Sequence, residues 1–113
     1  MAVDEDLFEK MRVELRRGSL VLAVLGALRE ERYGYTLRQT LDDAGLPIEE
    51  GALYPLLRRL ETQGLLTSEW REDAKRTKRF YKLSIQGVET LARLLGEWNA
   101  ISESILRITE REM

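Results

Sequence analysis

The side chains with chemistry to offer in this chain are cations, and they stand in two clusters. One is the pair Arg58-Arg59 inside "GALYPLLRRLETQGLL", Gly51 to Leu66. The other is Lys75, Arg76, Lys78 and Arg79 within "REDAKRTKRFYK", Arg71 to Lys82. That second segment holds six of the 18 Lys and Arg but only two of the 20 acids, in a chain whose formal net charge is −2. A basic lobe on an acidic body attracts phosphate at one place and repels it elsewhere.

The missing residue types narrow the class further. Histidine and cysteine are both absent. No Ser-His-Asp or Cys-His arrangement can form, and no His- or thiolate-ligated metal site or disulfide can exist. An enzyme would have to work with carboxylates, lysine or tyrosine, and no motif organises them. The reading is therefore a binding protein, not an enzyme, with no cofactor and no metal. The opening "MAVDEDLFEK" is acidic and lacks the apolar run of a signal peptide. "SLVLAVLGAL" is too short to span a bilayer. Both fit a cytoplasmic protein, as does the lack of cysteine.

The elements that must position these cations follow from periodicity. Asp4 to Arg17 is a weakly amphipathic helix candidate, followed by "SLVLAVLGALRE", apolar on nearly all sides. Ser19 either caps this second run or lies inside one continuous helix. "ERYGY" breaks the pattern at Gly34, and Tyr35 to Ala44 form a short helix that stops at Gly45. In the third helix Leu53, Leu56, Leu57 and Leu60 make a core stripe at i, i+3, i+4 and i+7. That helix starts at or just after Glu50, so Pro55 sits near a free end where a lost donor matters little. "LLTSEWR" and "RFYKLS" alternate as strands, with Glu72 to Lys78 as a long, exposed, basic loop between them. From Ser84, a plausible N-cap, a last helix carries Leu91, Leu94, Trp98, Ile101, Ile105 and Ile108 at spacings of three and four, a heptad seam. At ~1.5 Å per residue it outreaches a small three-helix core, so its far half needs a partner, most simply a second copy.

This order gives a mainly α fold with a small β-hairpin, a winged helix-turn-helix plus a long C-terminal dimerisation helix. Residues 1–84 read as the winged-helix DNA-binding domain with its N-terminal helix, and 85–113 as the dimerisation helix. In such a fold the third helix enters the major groove and the wing lies along the backbone or a minor groove.

"EEGALYPLLRRLETQGLLTSEW" followed by "KRFYKLSIQG" resembles the PadR-like transcriptional regulators. Ala52-Leu53-Tyr54-Pro55, Arg58-Arg59-Leu60-Glu61 and Gly64-Leu65 match the family's recognition-helix run, and Gly34-Tyr35 matches its Gly-Tyr step. The single C-terminal helix resembles the short subfamily. That resemblance implies dimerisation through the last helix and, as in some short members, a planar aromatic effector bound between subunits. Glu49 and Glu50 depart from the family's usual Ser-Pro, the wing tip lacks its Gly-Gly or Pro-Pro, and Tyr33 replaces a frequent histidine.

The expected DNA-contacting residues are Tyr35, Gly51, Ala52, Tyr54, Pro55, Arg58, Arg59, Lys75, Arg76, Lys78 and Arg79. Arg58 points most nearly away from the leucine stripe, and Glu61 is its one nearby acid later in the helix. For these charges the plain reading is a solvated surface, and for Pro55 a simple kink. Trp70, Phe80 and Tyr81 read as wing and core packing. Leu91, Leu94, Trp98, Ile101, Ile105 and Ile108 form the expected dimer interface. Trp98, whose N–H needs a partner, is either seam filler or the ligand-binding plate for the effector. The expected whole is a homodimeric, sequence-specific repressor of a double-stranded DNA operator. The alternative is a winged-helix protein–protein interaction module without DNA binding.

Overall fold

The computed structural model describes residues 2–111. Helix α1 (Glu5–Ala27) is followed by strand β1 (Arg32–Tyr33), helices α2 (Gly34–Asp43) and α3 (Glu50–Thr62), strands β2 (Leu66–Asp73) and β3 (Arg76–Leu83), and helix α4 (Ile85–Arg111). The winged helix-turn-helix and long last helix expected from the pattern are present.

The two N-terminal helix candidates are one. Asp4 caps it, with the Leu7 N–H donating to its carboxylate at 3.1 Å, and Ser19 lies within it, donating back to the Arg16 carbonyl at 2.9 Å. Within the single chain only the second half of α1 reaches the core: Val24 and Leu25 close into it, together with Leu28 just beyond. They meet Leu37 and Leu41 of α2 and Leu53, Leu57 and Leu60 of α3. Leu56, the fourth leucine of the α3 stripe, is half-buried against that cluster. Helices α2 and α3 each stop at a glycine with φ +84°, Gly45 and Gly64. In both, the residue after the glycine donates back to a carbonyl five residues earlier, Leu46 to Leu41 and Leu65 to Leu60. This is the Schellman closure, and it needs the left-handed conformation that glycine adopts without penalty.

The sheet differs from a bare hairpin. It has three antiparallel strands in the order β1-β3-β2, because Arg32 and Tyr33 pair with Tyr81 and Phe80. The expected long loop is also strand. β2 and β3 pair in register from Leu66↔Leu83 out to Asp73↔Arg76, leaving Ala74 and Lys75 as a two-residue turn. Both have positive φ, 51° and 67°, as a type I′ turn requires. Neither residue is glycine or asparagine, so the tip is strained. Replacing Ala74-Lys75 by Asn-Gly is expected to stabilise the fold by about 1 kcal/mol in denaturant unfolding.

The start of α4 belongs to the same core. The Gly87 N–H donates to Ser84 Oγ at 2.9 Å, confirming Ser84 as the cap, while the same hydroxyl donates to the Gly64 carbonyl at 2.6 Å. Leu91 is only 4% exposed and Leu94 packs against the core. Leu91 therefore has no surface left for a second chain, and the core runs across the 84/85 boundary. From Leu95 on, the apolar side chains of α4 are exposed.

Candidate nucleic-acid interface

Helix α3 begins at Glu50, with the Glu49 carbonyl accepting from Ala52 and Leu53 N–H. Gly51 and Ala52 lie exposed in its first turn. Pro55 is the sixth residue of the helix, in the second turn from the start at Glu50 that the sequence pattern indicated. The N–H it lacks is one that the Gly51 carbonyl would have accepted in an unbroken helix. The cost is limited because Gly51 is exposed to water.

Tyr54 turns partly back onto α2. A Cβ placed on Gly34 would lie 2.1 Å from the Tyr54 hydroxyl oxygen, so the helix approach depends on glycine there. The sequence pattern singled out both Gly34 and Tyr54 without showing that they touch. Tyr35, next to Gly34, is 60% exposed at the start of α2, its ring 6.5 Å from that of Tyr33.

Arg58 and Arg59 are exposed and form no ion pair among the described residues. Glu61, the expected competitor for Arg58, is taken by Arg79. Arg79 Nη2 donates to Glu61 Oε1 at 2.9 Å, and Arg79 Nε to Ser68 Oγ at 2.9 Å. Ser68 Oγ in turn donates to Glu61 Oε2 at 2.5 Å. This closed, half-buried triangle fastens the end of α3 to the wing. Arg79 is thus midway along the wing, opposite Trp70, rather than at its tip.

Two more wing cations are similarly engaged. Lys78 Nζ is 3.1 Å from Asp73 and 4.2 Å from the Tyr33 ring centroid. Hydrogen bonding to Asp73, then to Tyr33, holds its pKa above the usual lysine value. Arg71 bridges Glu31 and Glu69 and lies 4.3 Å from the centroid of Phe80. Its hydrogen bond to Glu31 holds that carboxyl below the ordinary glutamate range. Lys75, Arg76 and Lys82 remain exposed without an acid partner among the described residues. Tyr81 is core and Phe80 half-buried, as expected. Trp70 is 64% exposed, contrary to a packing role, with the Arg79 guanidinium 5.5 Å from its ring.

Arg38 of α2 is a cation the sequence pattern did not single out. Its Nη1 lies 3.2 Å from Glu50 Oε2 at the start of α3. The pair is twelve residues apart, so no helical spacing signals it.

Residues 21–93 match the model of the transcriptional regulator PadR-like family. The chain belongs to that family. A transcriptional regulator of Mycobacterium tuberculosis is 39% identical over 75 residues, 66% of this chain and 70% of that protein. Among solved structures, a PadR family transcriptional regulator from Eggerthella lenta is 42% identical, with a TM-score of 0.89 over 94% of this chain and 95% of that one. Bacillus subtilis PadR, solved in complex with operator DNA, is 27% identical, with a TM-score of 0.62 over 71% of this chain and 48% of that one. The PadR-like resemblance read from "GALYPLLRRLETQGLL" is thereby shown. Among the described residues there is no cluster of acids that could hold a metal, and no helix is long and apolar enough to cross a membrane.

Proposed function

We propose that this PadR-family regulator is a cytoplasmic homodimer that binds a pseudo-palindromic double-stranded operator and represses transcription from it. The observation that carries the reading is the distribution of uncommitted cations. Arg58 and Arg59 on α3 and Lys75 and Arg76 at the wing tip are exposed and unpaired among the described residues. The Glu61–Ser68–Arg79 triangle fixes α3 against the wing that carries the other two. Relatives strengthen it, since B. subtilis PadR was solved on its operator. Gly51, Ala52, Tyr54, Pro55 and Arg58 then face base edges, with Arg59 and Tyr35 beside them. Lys75 and Arg76 hold phosphates. Lys78 and Arg79 contribute through the wing's shape and positive potential.

Selection of bound duplexes from a random-sequence pool tests this directly. Enrichment of an inverted repeat, with half-sites about one helical turn apart, is the expected result. No retained duplex at low salt overturns it in favour of a protein–protein module.

The dimer is proposed from the apolar row Trp98, Ile101, Ile105 and Ile108, each at least 40% exposed in the single chain, with Leu94 at its inner edge. Soluble monomers rarely leave such a row open. Leu7, Phe8 and Met11 of α1 are also exposed and would join it. At the centre of that seam Trp98 offers a flat face for a planar aromatic effector. Such a compound is expected to quench Trp98 fluorescence saturably in a Trp70→Phe background. A panel of planar aromatics that leaves the emission unchanged assigns Trp98 to packing alone.

A further inference from the structure

The start of α3 carries the wrong charge for a surface that meets phosphate. A helix N-terminus ordinarily attracts anions through its free N–H groups and dipole. Here Glu49 occupies the N-cap and Glu50 the first helical position. The open cleft beside them, of about 600 Å³, is lined by Tyr35, Arg38, Gln39, Asp42 and Glu49 among others. Arg38 is the one cation lining that cleft, and Glu50 holds it at 3.2 Å. The Arg38 side chain is 40% exposed and that of Glu50 67%. Both are therefore within reach of a ligand. The Arg38 Nε is shielded from solvent without a hydrogen-bond partner, so it is the outer, exposed part of this side chain that a ligand can reach.

An exposed pair of this kind contributes little to folding. Its consequence for binding is larger. A free Arg38 beside α3 would take a phosphate on any duplex, whatever its sequence. Tied to Glu50, it adds nothing to backbone affinity, and Glu49, Glu50 and Asp42 repel the backbone. Only a duplex offering compensating base-edge contacts to Arg58 and its neighbours overcomes that repulsion. We infer that Glu50 is a specificity-determining residue that withholds Arg38 from phosphate and so suppresses binding to nonspecific DNA. The inference rests on the DNA-binding reading and adds a function for the acids that depart from the family pattern. Specificity here comes from a penalty on the wrong partner as well as attraction to the right one.

The experiment measures affinity against salt concentration for a mixed-sequence duplex and for the duplex recovered by selection. Glu50→Gln is expected to raise affinity for the mixed-sequence duplex about tenfold and to steepen its log K against log salt slope by about 1.8, one additional phosphate for each protomer of the dimer. The gain on the selected duplex is smaller, so the specificity ratio falls. In an Arg38→Ala background, Glu50→Gln is expected to change the slope far less, because only the direct repulsion by Glu50 is then removed. Glu50→Ala, which also removes the carboxylate, must reproduce the Glu50→Gln result, and thermal melts of all variants check folding. An unchanged slope in Glu50→Gln, or the same slope change with Arg38 absent, overturns the inference alone. Wild-type protein that binds neither duplex overturns it together with the regulator reading.

Discussion

Trp98→Arg is expected to turn the protein into a monomer in sedimentation and to weaken operator binding about a hundredfold, the scale of avidity lost when two linked heads are separated. Its position makes the test clean. Trp98 lies one turn beyond Leu94, the last α4 residue packed against the core, and is 40% exposed in the isolated chain. The substitution therefore leaves the domain's own core untouched, and the unfolding midpoint extrapolated to low protein concentration should not move. In a dimer the arginine would be placed in an apolar seam with Ile101 and Ile105 nearby, where an unpaired charge costs several kcal/mol. The proposed seam is shorter than its heptad pattern implies, because Leu91 is already enclosed. Residues Leu7, Phe8 and Met11 of α1 are the exposed apolar surface available to complete it. A specific dimer needs on the order of 1,000 Å² in total, and burial of these α1 side chains would add to what the short α4 row supplies. A Trp98→Arg protein that stays fully dimeric would move the interface off α4 altogether.

What the sequence revealed and what it hid divide along physical lines. Leu53, Leu57 and Leu60 were legible because a helix repeats every 3.6 residues and burial selects one face. The stops at Gly45 and Gly64 were legible because the closure needs a conformation that few other residues adopt. The outer half of the wing was not. Glu69, Arg71 and Asp73 pair across the strands with Phe80, Lys78 and Arg76, and both faces there are solvated, so no apolar alternation marks the strands. Strand β1 was hidden for a different reason. Two residues, Arg32 and Tyr33, carry too little pattern, and only the distant Phe80 and Tyr81 make them a strand. The same holds for the site. Arg58 and Arg59 stood out as an outward-facing pair, but nothing local says that Glu61 prefers Arg79, eighteen residues on, over Arg58, three residues back. That choice frees Arg58 for a ligand and fixes the wing, so the electrostatics of the interface follow from tertiary pairing. Glu50 is the converse. The sequence marked it as a departure, and its partner Arg38 emerges only when α2 and α3 are packed together.

The committed and uncommitted cations are expected to separate in a single set of measurements. Lys75→Ala combined with Arg76→Ala removes two exposed tip charges that stabilise nothing in the fold. Operator affinity should fall by at least about thirtyfold at low salt, and the slope of log K against log salt should decrease by about 3.6, two phosphates for each of the two protomers at the usual increment. The loss should be nearly equal on operator and mixed-sequence duplex, because backbone contacts carry no sequence information. Arg58→Ala should behave oppositely. A base-edge contact costs roughly 1–3 kcal/mol and relaxes preference at one operator position. Arg79→Ala adds the third pattern. It breaks the triangle with Glu61 and Ser68, so it should lower the unfolding midpoint as well as operator affinity, an effect neither of the other variants shares. If the tip double mutant leaves the salt slope unchanged, the wing does not lie on the backbone. The free cations of α3 would then have to account for binding alone.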